Sequence, residues 1–503
     1  MSQPILLSEA QMRQFVSHGY LVLKTDFSKD FHDAMSRNIQ EVMKKEGNPG
    51  NNILPRVPEV QEVFRHPVIQ GALTSVLGEN YIMHPHRHCH FTEPGRKVQS
   101  WHKDSYWGYA KVRNHHPWWA MIFYYDHAVD EPLGPSAFMP GTQYYNNRPG
   151  DETEQDIHML GEAGTFGLIH YDLWHRGNAN VSEKTRSMLK FQFVRMERPT
   201  ASATGADAGA WKPMNGDGPP NRHETIWQHQ WQWLKGNQAH SNGHKAGAIG
   251  KWVDQLGSSD NHKRLAAADE LGMLGASAGD AIPALAARLA DEYEPTALNA
   301  AYALAGMGES GVAALLGGLQ SGDKDSARNA AYGLAAVGKP ATQVLIEQLD
   351  NASEQVRGYA AFALGEIGLA GSELASAGVT GLAKLVNDPD EWVRRNTAEA
   401  LGILSVQGQP AVQAEAVNAL AQTLADSDEQ VRFNSGLSLG RIGAPATAAV
   451  PALQVALKDT NRYVRANAVD ALSRIATPDA QRVLIDYLLN SRWCPSTTPE
   501  STF

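Results

Sequence analysis

Residues 164–196 read GTFGLIHYDLWHRGNANVSEKTRSMLKFQFVRM. Gly161 and Gly164 stand ahead of an apolar run that His175 ends, and a second apolar run, SMLKFQFV, follows a polar turn and begins just after Arg186. Short runs of apolar, β-branched and aromatic residues bounded by Gly and Asn read as strands. The stretch is therefore two strands joined by a turn, with a histidine at the end of the first and an arginine at the start of the second. Elsewhere before about residue 245 the chain has the same grammar of short apolar segments broken by Pro and Gly, and 18 of the 19 histidines fall there. A β-rich N-terminal domain is the expectation.

About seventy residues earlier lies VQSWHKDSYWGY (98–109), in which His102 and Asp104 are two apart. In a strand, or in the turn leaving one, residues i and i+2 project to the same side. Two imidazoles and one carboxylate on one face leave three adjacent positions open on an octahedral ion, an arrangement that suits non-haem Fe(II) activating dioxygen. Arg186 follows His175 by eleven residues. If the intervening turn makes a hairpin, its guanidinium reaches back toward the metal and offers a planar fork to a carboxylate. Taken singly, each residue has an ordinary explanation: a surface pair, a core histidine, a salt-bridged arginine. The four together, in this order, carry the reading.

His102, Asp104, His175 and Arg186 in this setting resemble the phytanoyl-CoA dioxygenase family of Fe(II)/2-oxoglutarate oxygenases. The resemblance extends to the opening SEAQMRQFVSHGYLVL, the TEPG turn, the PSAFMPGTQ loop and the run Asn180, Ser182, Arg186, so that it spans about residues 5–235. It implies a double-stranded β-helix of jelly-roll or cupin-like type with flanking helices, and a metal held by His102, Asp104 and His175. It also implies 2-oxoglutarate on that metal with Arg186 on its distal carboxylate, O2 as co-reactant, and succinate and CO2 as by-products. Because Asp104 fills a coordination position, hydroxylation of a C–H bond is expected over halogenation. Trp119 in HHPWWAMIFYY is the expected tryptophan near the cosubstrate. Two departures stand out: Lys103 where the family often has Gln, and Gly177 where a hydroxyl residue sometimes holds 2-oxoglutarate, for which Thr142 or the HPHRHCH strand offers a substitute.

YIMHPHRHCHF (81–91) places His84, His86, His88 and His90 on alternate residues. A second metal site and a polar strand bordering a substrate cavity both fit. Pro85 and the absence of a nearby carboxylate favour the second. Arg87, His86, Trp107 and Tyr106 are the candidates for the substrate pocket. The primary substrate itself is not named by these residues: a small or carrier-bound molecule is expected.

After residue 245 the grammar changes to Ala- and Leu-rich blocks. AADELGMLG returns as NAAYALAGMG, NAAYGLAAVG, YAAFALGEIG, NTAEALGILS, NSGLSLGRIG and NAVDALSRIA, aligned on Leu271, Leu304, Leu334, Leu364, Leu401, Leu439 and Leu472. The spacing of 30 to 38 residues means a solenoid of helix pairs. With the Val-Arg steps at Val356, Val393, Val431 and Val464, the blocks resemble HEAT repeats. Asn299, Asn329, Asn396, Asn434 and Asn467 stand five residues before their leucines. They either line a groove or satisfy loop backbone groups, and repeats need such ladders. Tyr302, Tyr332 and Phe362 share one repeat position and read as inter-repeat packing.

The expected organisation is an oxygenase domain over 1–236, with Trp227, Trp231 and Leu234 on a helix packed against it, a linker over 237–249, an all-α HEAT solenoid of about seven helix pairs over 250–490, and a tail over 491–503. The 44 basic residues against 54 acidic ones give a net charge of −10, which disfavours a nucleic-acid binder relying on bulk positive charge. No run of about 18 apolar residues signals a membrane span, and the opening residues lack the pattern of a signal peptide. Two cysteines, Cys89 and Cys494, without a CxxC pair, fit a reducing cytoplasm. The solenoid leaves room for a protein partner or a homodimer. The competing expectation is a HEAT binding scaffold with a vestigial metal domain, against which the intact triad and Arg186 speak.

Overall fold

The computed structural model describes residues 3–105, 110–150, 156–200, 209–214, 218–236, 249–368, 373–406 and 408–490. The chain forms two compact units, 1–363 and 364–503. The expected linker lies almost wholly outside the described residues, as does the tail. The first unit joins the sheet-rich region to the first three helix pairs, so its limit does not fall where composition changes.

In the sheet-rich region, helix α1 (Glu9–His18) begins at a capping box made by Ser8 and Gln11. It leads into strand β1 (Tyr20–Lys24), and helices α2 (Lys29–Glu46), α3 (Pro58–Arg65) and α4 (Pro67–Leu77) precede β2 (Ile82–Thr92). The remaining strands are β3 (Trp119–Tyr124), β4 (Ser136–Phe138), β5 (Ile157–His158), β6 (Thr165–His170), β7 (His175–Gly177) and β8 (Arg186–Val194), and helix α5 (Glu224–Leu234) closes the region. Five strands pair in the order β1-β6-β3-β8-β2 and three in the order β5-β4-β7, all antiparallel. The turn into β6 requires Gly164: its φ is +89°, and a Cβ there would lie 2.8 Å from Thr25 Oγ1.

Strand β8 is buried along its whole length because both of its faces are covered. Leu189, Phe191 and Phe193 alternate onto one face, where Phe64 of α3 stacks 4.1 Å from Phe191 between ring centres. Burying one such ring contributes about 2 kcal/mol. The intervening residues Arg186, Met188, Lys190 and Gln192 therefore share the other face. Their partners across the ladder are Thr92 opposite Arg186, His90 opposite Met188, and both His88 and Phe123 opposite Lys190.

The helical region contains seven pairs among the described residues. The first helices of these pairs run from Asn261–Leu274 to Arg462–Ile475, and each carries one of the seven aligned leucines, all fully buried. Asn329 Nδ2 donates to Leu289 O at 3.0 Å, and Asn467 Nδ2 to Phe433 O at 3.1 Å. These buried amides cap carbonyls of the preceding pair rather than facing a groove. In the second unit, Arg394 and Arg432 of the Val-Arg steps pair with Asp426 and Asp459, each at 2.7 Å.

Tyr332 packs edge-on against Phe362 of the next repeat at 5.6 Å, as expected, but Tyr302 and Tyr332 also have partners outside the repeats. The Tyr302 hydroxyl lies 2.9 Å from His115 Nδ1, the His115 ring stacks 3.7 Å from Tyr332, and Tyr332 Oη donates to Arg113 O at 3.1 Å. The first helix pairs bury their tyrosine positions against the sheet-rich region, which supplies aromatic and carbonyl partners there. Asn299 likewise reaches Arg222 O and the ring of His223.

Candidate metal centre

His102 and His175 exchange both backbone hydrogen bonds, each at 3.0 Å, although His102 lies outside the regular strands. This two-residue bridge brings segments seventy residues apart side by side, with imidazole centres 4.4 Å from each other. Each ring is fixed through Nδ1 on a backbone carbonyl: His102 on Ser100 O at 3.0 Å and His175 on Leu173 O at 2.9 Å. A hydrogen bond at one ring nitrogen sets the tautomer and leaves Nε2 as the metal-facing donor. Nε2 of His175 is buried with no hydrogen-bond partner among the described residues. Burial pushes the His175 imidazole down to about 3, so it stays in its neutral, ligating form.

Asp104 completes the set, with Oδ1 3.7 Å from His175 Nε2. Ligand atoms of His102, Asp104 and His175 all lie within 4.8 Å of one another, and no other such group occurs among the described residues. Burial raises the Asp104 carboxyl, but Lys190 and His175 outweigh it and hold the group below the ordinary carboxylate range. Two imidazoles and a carboxylate gathered in this way fit a divalent first-row ion with open positions.

Arg186 faces the same cavity, fully within the protein. Nη2 donates to Thr92 Oγ1 at 2.7 Å and Nη1 to Ser136 Oγ at 3.2 Å, while Nε finds no acceptor. Among the described residues no carboxylate pairs with it. A buried guanidinium whose hydrogen bonds among the described residues go to two hydroxyls, beside the Tyr125 ring at 5.9 Å, is a ready receptor for an acidic ligand.

The other sequence-derived candidates fall elsewhere. Trp119 stacks on Tyr171 at 5.3 Å and meets His84 edge-on at 5.1 Å; from β3 it is Phe123 that borders the cavity, edge-on to His175 at 5.4 Å. The Thr142 hydroxyl donates to Met139 O and accepts from Trp174 N, so it braces the loop behind His175. Arg87 sits opposite Phe191 and directs Nε to Asn51 O, on the face away from Lys190. His86 lies in an irregularity between Met83 and Arg87 that breaks the alternation of the histidines; its backbone N–H donates to His84 Nδ1. Tyr106 and Trp107 lie outside the described residues.

Sequence reasoning missed Lys190, whose Nζ lies 2.5 Å from Asp104 Oδ2, and the Arg186 partners Thr92 and Ser136. A signal for Lys190 was present in the alternation Arg186, Met188, Lys190 along one strand. The pairing of β2 with β8 that supplies Thr92 had none.

Residues 15–188 match the family model described as phytanoyl-CoA dioxygenase, and residues 342–421 and 417–493 match HEAT repeats. No curated protein matches the chain. Among solved structures, the chain is similar to the non-heme alpha ketoglutarate dependent carbocyclase SnoK from nogalamycin biosynthesis, at 18% identity and a TM-score of 0.33 over 39% of this chain and 88% of that one. It is also similar to EctD from S. alaskensis, crystallised with 2-oxoglutarate and 5-hydroxyectoine, at 15% identity and a TM-score of 0.34 over 40% and 80%.

Proposed function

From a domain of the phytanoyl-CoA dioxygenase family at 15–188 and HEAT repeats at 342–493, we propose that the chain is an Fe(II)- and 2-oxoglutarate-dependent dioxygenase that hydroxylates a C–H bond of a small or carrier-bound substrate. The observation that carries this reading is one cavity bordered both by His102 and His175, whose ligand atoms cluster with that of Asp104, and by a buried Arg186 with no carboxylate partner among the described residues.

Fe(II) with 2-oxoglutarate supplies, when bound, the O2-driven oxidative decarboxylation to succinate and CO2 and the oxidising power to cleave a C–H bond. The chain's own groups do the rest. His102 and His175 present Nε2, Asp104 presents Oδ1, and Lys190 holds Asp104 Oδ2. Arg186, aligned by Thr92 and Ser136, receives the distal carboxylate and fixes the direction in which the cosubstrate lies. Phe123 supplies the apolar wall beside His175.

The HEAT repeats support a role in protein interaction, to which we assign recruitment of the substrate or a partner, or self-association as a homodimer. The domain limits 1–236 and 250–490, and a cytoplasmic location in keeping with the free buried Cys89, belong to the same reading. Among the described residues no helix is long and apolar enough to cross a membrane.

Anaerobic addition of Fe(II) and 2-oxoglutarate tests the proposal through the visible metal-to-ligand charge-transfer band. The band is expected in the wild type, lost in His175→Ala, and reached only at much higher 2-oxoglutarate in Arg186→Ala. A wild type that binds neither iron nor 2-oxoglutarate would leave the HEAT scaffold with a vestigial metal domain.

A further inference from the structure

The described residues bordering the cavity include four cations, Arg96, Arg176, Arg186 and Lys190, and no carboxylate. Arg176 pairs with Asp156 at 2.9 Å and lies over the Trp101 ring, 4.3 Å from its centre. Arg96, exposed at the mouth, has no ion-pair partner among the described residues. Lys190 is buried against the Phe123 ring and touches Asp104 through a single carboxylate oxygen. An ammonium carries three donors, so two remain.

The charge balance of the loaded site follows, and this step rests on the oxygenase reading. A divalent ion, Asp104, Arg186 and a 2-oxoglutarate dianion cancel one another. With Lys190, which stays paired to Asp104, the loaded cluster then carries one net positive charge inside the protein, and Arg96 adds another at its mouth. An uncompensated buried cation is costly, and an anion is the ligand that relieves it. On the paired strand His90, opposite Met188 and two residues along from His88, the partner of Lys190, also borders the cavity, and its Nε2 is buried without a hydrogen-bond partner among the described residues. Among the described residues, Phe91, Phe123 and Met188 supply the hydrocarbon of the lining, which is otherwise mostly polar.

We propose that Lys190 and His90 form the specificity-determining subsite for the primary substrate, and that this subsite takes an anionic group, a carboxylate or a phosphate, drawn in past Arg96. The substrate is then a polar acid whose oxidised C–H bond lies within a few bonds of its anionic group, because Lys190 touches a metal ligand.

The test uses the full-length chain loaded anaerobically with Fe(II) and 2-oxoglutarate. The charge-transfer band is recorded first, so absence of the band counts against the oxygenase reading and is distinguished from failure of the subsite. Benzoate, inorganic phosphate and the neutral benzamide are then titrated by calorimetry while the band is monitored. The expected result is that benzoate or phosphate binds one per chain with the band retained, that benzamide binds at least tenfold more weakly, and that His90→Phe and Arg96→Gln each keep the band but weaken the anion about fivefold to tenfold. Which anion binds more tightly separates a carboxylate from a phosphate subsite. Equal binding of benzamide, binding only by displacement of 2-oxoglutarate with loss of the band, no binding of either anion, or anion binding unchanged in both variants would each overturn the proposal.

Discussion

Lys103 Nζ donates to Tyr145 O at 2.6 Å and to Thr142 O at 3.1 Å, from a side chain with no exposure at all. This residue stands between His102 and Asp104, yet it points away from the metal cluster and ties it to the loop that follows β4. Replacing Lys103 with Met should therefore act on the site through the backbone, leaving Tyr145 O without a donor and Thr142 O with Tyr145 N alone, at a cost of about 1–3 kcal/mol. Thermal melts with and without Zn(II) check this: the variant should melt lower and gain less from the metal. An unchanged melt and metal response would mean that the tether does not shape the site.

The same loop is held from the helical side. Glu294 accepts from Asn146 N at 2.6 Å and from Asn147 N at 2.9 Å, directly after Tyr145. Glu294→Ala should lower stability by about 1–3 kcal/mol, as the loss of a charged acceptor for two N–H groups requires. Glu294→Gln, which keeps one acceptor, should lose less. For the same reason, removal of residues 250–503 should destabilise the sheet-rich region itself, seen as loss of its cooperative melt.

Lys190→Met removes one partner of a buried ion pair and strands Asp104. Such a change costs about 3–5 kcal/mol in the metal-free protein. A divalent ion then becomes the only compensation for the carboxylate, so Zn(II) or Mn(II) should raise the melting temperature more in the variant than in the wild type. An equal metal-induced rise in both proteins would show that Lys190 and Asp104 are not energetically coupled.

Arg186→Lys keeps the charge and discards the fork held by Thr92 and Ser136. Two-pronged recognition of a carboxylate is lost, so the 2-oxoglutarate concentration that half-saturates the charge-transfer band should rise about tenfold or more, with Fe(II) affinity unchanged. Titration of cosubstrate at saturating iron measures both.

Acid should loosen the first unit. His223 is buried between the Tyr145 hydroxyl and Asn299 Oδ1, each at 2.5 Å, and burial pushes its imidazole down to about 4 from 6.5. His170, also buried, is pushed down to about 4. Both rings stay neutral when folded but take up a proton when unfolded. The unfolded chain thus binds more protons between pH 6.5 and 4, and stability falls as pH is lowered through that window. His223→Gln should flatten part of the decline in melting temperature between pH 7 and 4.5, and an unaltered slope would count against it.

Two kinds of information were legible in the linear chain. Periodicity was one: seven leucine-centred blocks fixed the helix pairs, because each pair must bury the same stripe against its neighbour. Motif chemistry was the other: His102, Asp104, His175 and Arg186 stood out by residue type and order, and the fold gathers the first three into one cluster. Pairing across strands was not legible. That Thr92 lies opposite Arg186, that Lys190 reaches Asp104, and that the ladder of β2 is interrupted between Met83 and Arg87 all depend on register between distant segments. A one-residue shift in register reverses which face a side chain occupies, and only the packed sheet decides it. The same holds for Tyr302 and Tyr332: their repeat positions mark them as buried, whereas the surface that buries them belongs to another part of the chain.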